Sequence, residues 1–199
     1  MSTWKIRVDM DGVLVDFINP TLTEMNFLMN HPSYATPRQT KLIQAAKIEL
    51  GRDYFVADDI KIGSKLKTPR KVMYSLIRGS SEWWASLPWA PGGRELWNHV
   101  KQYDPIILTT PIKSDEKRCS QGKIEWVGRN LDLPPERVIL TDKKYLLARE
   151  DREPTILIDD WSKNTEPFAA AGGFSILHVT GETAATIKRL KEIMDGNKR

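Results

Sequence analysis

Asp9 and Asp11 stand two residues apart in Asp9-Met10-Asp11-Gly12-Val13-Leu14, directly after the alternating run Trp4-Lys5-Ile6-Arg7-Val8. Carboxylates at that spacing can coordinate Mg²⁺, attack phosphorus or move a proton, and a close pair can divide those tasks. A polar turn is the plain alternative, because Asp and Gly are favoured where a strand ends. A calcium loop fits badly, since the later acidic ligands and the closing Glu are missing at the required spacing. The choice between site and turn rests on whether chemically matched residues recur downstream.

They recur after three further apolar runs. Ile106-Ile107-Leu108 leads into Thr109-Thr110-Pro111, whose hydroxyls can hold a phosphoryl oxygen without repelling it. A Thr-rich strand end or a helix cap accounts for these residues equally simply. Val138-Ile139-Leu140 leads into Thr141-Asp142-Lys143-Lys144, where a lysine can neutralise phosphate charge. Lys143 is favoured because it follows a strand end; Lys123 lies on a helix, where lysines commonly face water, and Lys144 is expected to be solvated. Thr155-Ile156-Leu157-Ile158 ends in Asp159-Asp160, two like charges that are costly to hold together without a cation, so Mg²⁺ is the economical explanation.

The elements that must position these groups follow from periodicity. Strands are predicted at 4–8, 106–108, 138–140, 155–158 and 174–179, alternating with helices, and the reactive residues fall at strand C-terminal ends, which face the ligand crevice in open α/β sheets. Gly12 supplies the turn after the first strand. From Phe17 to about Leu87 the chain reads as helical and inserted, with helix starts at Asn19-Pro20, Thr36-Pro37 and Thr68-Pro69. Ala90-Pro91-Gly92-Gly93 marks the return to the main unit. Phe17 is placed to touch a substrate, whereas packing is favoured over substrate stacking for Trp83 and Trp84, and Tyr54, Phe55 and Tyr74 read as packing residues. Later helices are predicted from Arg94, over about 114–130, from Asn164, and around Ile187, Leu190 and Ile193. His178 is expected to pack within the last strand.

Composition sets the outer limits. A chain of 199 residues, 40% hydrophobic, supports one core and a modest second lobe. Thirty basic residues against 26 acidic ones give a net charge of +4, spread without runs, which argues against a nucleic-acid stripe while favouring phosphorylated substrates mildly. Cys119, the single cysteine, excludes an intrachain disulfide, suits a reducing compartment and has no Cys/His arrangement around it. No apolar run approaches membrane-spanning length, and the first strand begins close to Met1, so a cytoplasmic protein with no membrane partner is expected.

Taken in order, the Asp-x-Asp-Gly, Thr, Lys and Asp-Asp signals resemble the haloacid dehalogenase superfamily. More narrowly, the stretches 9–17, 108–111, 123–127, 139–143 and 157–160 resemble the 5′(3′)-deoxyribonucleotidase family. The resemblance implies an α/β fold: a Rossmann-like three-layer parallel sheet core, residues 1–16 and 89–199, with a small inserted helical cap at 17–88. It implies Asp9 as nucleophile and Mg²⁺ ligand, Asp11 as general acid/base with its carbonyl as a second ligand, and Asp159 as a third. Asp160 would act through a water or orient its loop. Thr109 and Thr110 would hold phosphoryl oxygens, Lys143 would stabilise phosphate and hold Asp9, and Phe17 and Gly12 would lie on the substrate side. The implied activity is Mg²⁺-dependent hydrolysis of (deoxy)nucleoside monophosphates through an aspartyl-phosphate, in a family often found as homodimers. The likeness is thinner in the helical lobe, and Glu150-Asp151-Arg152-Glu153 looks inserted. Another small phosphorylated metabolite, a polynucleotide end, or a non-catalytic binding role on the same fold are the competing readings.

Overall fold

The computed structural model describes residues 4–60, 65–151 and 153–196. Five short strands form one parallel sheet: β1 (Ile6–Val8), β2 (Ile106–Thr109), β3 (Val138–Leu140), β6 (Ile156–Asp159) and β7 (Phe174–Leu177), in the order β3-β2-β1-β6-β7. Between β3 and β6 the chain forms a small antiparallel hairpin, β4 (Arg149–Glu150) and β5 (Glu153–Pro154); Arg152 lies outside the described residues.

Alternation along the strands builds two apolar layers. Ile6, Val8, Ile107, Ile156 and Ile158 point into the larger core, whereas Leu108 and Leu157 join Phe168 and Ala148 on the other face. Near-continuous apolar runs are what a parallel strand covered on both faces requires. Each of these fully buried aliphatic side chains contributes about 1.5–3 kcal/mol relative to exposure. Helices α6 (Gly93–Val100), α7 (Glu116–Leu131), α8 (Ser162–Ala170) and α9 (Thr183–Gly196) flank the sheet.

The registers align the strand ends. Val8 pairs with both Ile107 and Ile158, and Thr109 pairs with Leu140, so Asp9, Thr109, Thr141 and Asp159 emerge together. The Asp9 amide extends the ladder by donating to the Ile158 carbonyl at 2.9 Å.

Helices α1 (Ile18–Asn30), α2 (Pro37–Leu50), α3 (Ala57–Ile60), α4 (Thr68–Ile77) and α5 (Ser81–Ala85) come between β1 and β2. Thr36 starts α2 with a reciprocal capping box to Gln39 and Pro37 at the first position, as the sequence signal demands. Thr68 does not cap α4. It is the first helical residue, and the Glu49 carboxylate accepts from the Lys67 and Thr68 amides instead, so a distant acid closes that terminus. Met25, Leu28, Ile43, Val72 and Ile77 are buried where these helices meet.

The contact between α5 and α7 is close-packed. α5 lies against α7 at Gly122, where an added Cβ would overlap the Ser81 carbonyl and the Trp84 Cβ. The Trp126 indole donates to the Leu87 carbonyl at 2.7 Å, fixing the chain as it returns.

Candidate active site

At the head of β1, Asp9 is almost wholly buried, and its Oδ1 accepts from the Met10 amide at 2.8 Å and from Lys144 Nζ at 2.9 Å. The same ammonium lies 2.6 Å from Asp159 Oδ2 at the head of β6. Asp159 is further held by the Trp161 amide at 2.9 Å and by Asn164 Nδ2 at 3.1 and 3.0 Å. Among the described residues, the side-chain donors and amides that meet the Asp9 carboxylate therefore converge on one oxygen, Oδ1.

Asp11 takes a different partner. Its Oδ2 lies 2.6 Å from Lys123 Nζ, and that ammonium also donates to Thr109 Oγ1 at 2.8 Å. Thr109 thus uses its acceptor side on Lys123 and keeps its O–H to give to an incoming oxygen. Thr110 spends its proton elsewhere, donating to the Thr141 carbonyl at 2.7 Å, which ties the β2 and β3 ends together.

Gly12 turns the chain between the two acids with φ of +77°, and a Cβ there would overlap the Asp160 carboxylate. Only glycine meets both demands without strain. Its carbonyl accepts from Thr180 Oγ1 at 2.6 Å, pinning the turn to the segment after β7.

Three carboxylate oxygens, one each from Asp9, Asp159 and Asp160, can lie within 4.8 Å of one another. Desolvation, then the charge of Asp9, pushes the Asp159 carboxyl up to about 6 against the opposing pull of Lys144. Asp160 is pushed up to about 8, by desolvation first and by Asp9, Asp159 and Asp11 after it, although part of the residue reaches solvent. Hard oxygen donors with a surplus of negative charge are the donor set that suits Mg²⁺. Asp11 contributes no side-chain oxygen to this group, because Lys123 holds it.

No protein-family model and no curated protein matches the chain. Solved structures do. A hydrolase from Streptococcus pneumoniae TIGR4 superposes with a TM-score of 0.52 at 10% identity, covering 98% of this chain and 100% of the other. A haloacid dehalogenase (HAD) family hydrolase from Deinococcus radiodurans R1, with bound phosphate and sodium, gives 0.50 at 13% identity, covering 96% and 89%. The chain has the haloacid dehalogenase-like fold.

On that fold two lysines stand where sequence reasoning did not put them. Lys143, favoured from its place after β3, is exposed, and its amide donates to Thr141 Oγ1 in a tight turn. That turn leads into a 3-10 segment at Lys144–Leu147, so it is Lys144, expected in solvent, that points inward and is only 2% exposed. Lys123, expected on a helix surface, is 1% exposed. Burying two ammoniums is tolerable only because each meets a carboxylate at hydrogen-bond distance. Asn164 and Thr180 were also not foreseen; neither belongs to a spacing pattern.

The aromatic residues form a connected group. Phe17 stacks on Trp84 at 5.5 Å with 15° between planes and meets Trp83 edge-on at 5.8 Å. Trp84 is buried, in keeping with packing, and its ring centroid lies 5.5 Å from Lys123 Nζ. Trp83 is partly exposed and donates to Glu24 at 3.2 Å. Tyr54 is exposed against the packing expectation, because its ring lies under the Arg52 guanidinium at the surface, while Phe55 is buried. His178 is buried as expected, with Nδ1 2.8 Å from Thr186 Oγ1. Burial pushes the Cys119 thiol up to about 11, which removes it as a nucleophile.

Proposed function

We propose that this protein is a phosphomonoester hydrolase acting on (deoxy)nucleoside monophosphates through an aspartyl-phosphate on Asp9. The observation that carries the reading is the division of labour at the head of β1: Asp9 is oriented by Lys144, while Asp11, two residues on, is held separately by Lys123. Support comes from the fold, whose solved examples include hydrolases, one of them with phosphate bound.

Asp9 attacks phosphorus, forming the acyl phosphate as the bond to the ester oxygen breaks, and Asp11 gives its proton to the departing alkoxide. Asp11 then takes a proton from water as that water attacks phosphorus, which releases phosphate and restores Asp9. Lys144 offsets charge on Asp9 and the transferred group, and the Thr109 O–H donates to a phosphoryl oxygen. Asp9, Asp159 and Asp160 fit Mg²⁺, with the Asp11 carbonyl as a further donor; when bound, the ion supplies charge screening for the phosphoryl oxygens.

We assign residues 17–88 as the cap that selects the substrate, with the partly exposed Phe17 and Trp83 facing the nucleoside. The test is phosphate release, with and without Mg²⁺, over deoxy- and ribonucleoside 5′- and 3′-monophosphates, sugar phosphates and phosphorylated oligonucleotides. Mg²⁺-dependent turnover concentrated on a few mononucleotides supports the reading. Inert mononucleotides beside a rapidly hydrolysed sugar phosphate would remove the nucleotide assignment and leave the chemistry of Asp9 standing.

A further inference from the structure

β7 closes one edge of the sheet and is paired with β6 alone. The Phe174 and His178 amides donate to the Thr155 and Asp159 carbonyls at 2.8 and 2.9 Å, and the pairing alternates between them. Leu177 and Val179 therefore turn their N–H groups away from β6, and among the described residues neither amide has a partner. Both side chains are exposed as well, at 52% each. Natural edges carry a charge, a proline or a bulge that discourages further pairing. The opposite edge has such features, since Pro134, Pro135, Glu136 and Arg137 lead into β3. The run Phe174-Ser175-Ile176-Leu177-His178-Val179 contains no Lys, Arg, Asp, Glu or Pro.

A groove of about 270 Å³ runs between this edge and α9. Glu182, Ala185 and Arg189 line its far side at a spacing that puts them on one helical face, with a carboxylate at one end, a small residue in the middle and a guanidinium at the other. Arg189 meets Glu192 through Nη1 alone, in an exposed pair of the weak kind. His178 Nδ1 lies 2.8 Å from Thr186 Oγ1, so the middle of that face stands beside His178 on the strand.

These features are complementary to a copy of themselves about one axis. A second strand running antiparallel, with the twofold axis at His178, sets Leu177 of each copy opposite Val179 of the other, so the free amides find carbonyls and the exposed apolar side chains cover one another. The Val179 carbonyl already accepts from the Glu182 amide at 2.8 Å and has a second lone pair for the new bond. Gly181, whose surroundings are open, then falls opposite Ser175 with no side chain in the way. The same axis passes the middle of the α9 face, which lays the two helices antiparallel and brings Glu182 of each copy toward Arg189 of the other. We propose that the β7 edge and this α9 face bind a second copy of the chain, joining two five-stranded sheets into one.

Sedimentation velocity on the full chain from about 1 µM to about 500 µM is the test, with hydrogen exchange of the Leu177 and Val179 amides read by NMR over the upper part of that range. The 22.8 kDa chain should give way to a species of twice that mass within the range, as a small interface requires, and the two amides should exchange more slowly as it forms. Arg189→Glu and Glu182→Arg should each weaken association by about tenfold, because two attractive contacts become repulsive, and the double variant Glu182→Arg/Arg189→Glu should restore it. Leu177→Lys, which places a charge on the edge, should weaken it by about tenfold or more. All three positions lie at the surface, so the variants should keep the fold. A chain that stays monomeric throughout overturns the proposal and leaves the groove to a foreign strand. A dimer that is indifferent to Leu177→Lys, that is not rescued by the charge swap, or that leaves both amides exchanging as in the monomer uses another face and overturns it equally.

Discussion

The Lys144 ammonium lies 2.6 Å from Asp159 Oδ2, and both side chains are essentially closed to water. Lys144 also reaches Asp9, so a single cation spans the heads of the two adjacent strands β1 and β6. Replacing it by an isosteric apolar side chain leaves two facing carboxylates without their shared counter-charge. Lys144→Met should lower kcat/KM by about 10²–10³-fold, the usual size for losing one preorganised electrostatic partner. Lys143→Met should stay within about threefold of wild type, as expected for a side chain in solvent. Steady-state phosphate release by the two variants checks the assignment, and the reverse ranking would return the role to Lys143.

Lys123 holds Asp11 and Thr109 at once, through contacts of 2.6 and 2.8 Å. Lys123→Met frees the Asp11 carboxylate to rotate and removes a donor from Thr109. A fall in kcat of about 10²-fold with a smaller change in KM is expected, because proton transfer depends on geometry first. The pH–rate profile of the variant should also move, which simple loss of packing would not produce.

How much of this was legible beforehand differs between backbone and side chains. Apolar runs of three or four residues disclosed β2, β3 and β6, and the longer stretches 4–8 and 174–179 disclosed β1 and β7; the acids at the ends of β1 and β6 come out side by side because a strand's exit point follows from its register. Thr36-Pro37 disclosed a helix start, since its cap is local. The cap of α4 was hidden because Glu49 comes from 18 residues upstream of Lys67. The lysines were hidden for the same kind of reason. Nothing in Lys143-Lys144 reveals which one a tight turn will point inward, and a helical lysine such as Lys123 is buried only if a carboxylate from another element meets it. The five-residue helix α5, Ser81–Ala85, is too short to show an amphipathic period.

At the seam, Gly122 lets α5 approach α7 closely enough for Trp84 to sit beside Lys123. A methyl group there must push α5 away. Gly122→Ala should destabilise the fold by about 1–3 kcal/mol, the range for overpacking, measured by urea denaturation. It should also raise KM for a mononucleotide more than for a small phosphoester that does not reach Phe17 and Trp83.

Burial holds the His178 imidazole below its ordinary pKa, with Glu182 opposing weakly, and leaves Nε2 without a partner. A folded-state pKa below the unfolded one means that the unfolded chain binds the proton more readily. Stability from this group is therefore present above the ordinary histidine pKa and declines as pH falls through about 6.5. Urea midpoints at a series of pH values, compared with His178→Gln, should show wild type losing stability relative to the variant on acidification. A difference that stays constant with pH would contradict the buried neutral imidazole.

The account stands or falls on Asp9 as the group that takes the phosphoryl. Acid quenching of the enzyme during turnover of a mononucleotide, followed by peptide mass spectrometry, should find a phosphoryl group on the peptide containing Asp9 and none in Asp9→Asn, which should also lose turnover while keeping its fold. An Asp9→Asn protein that folds normally and still releases phosphate at a substantial fraction of the wild-type rate would contradict it.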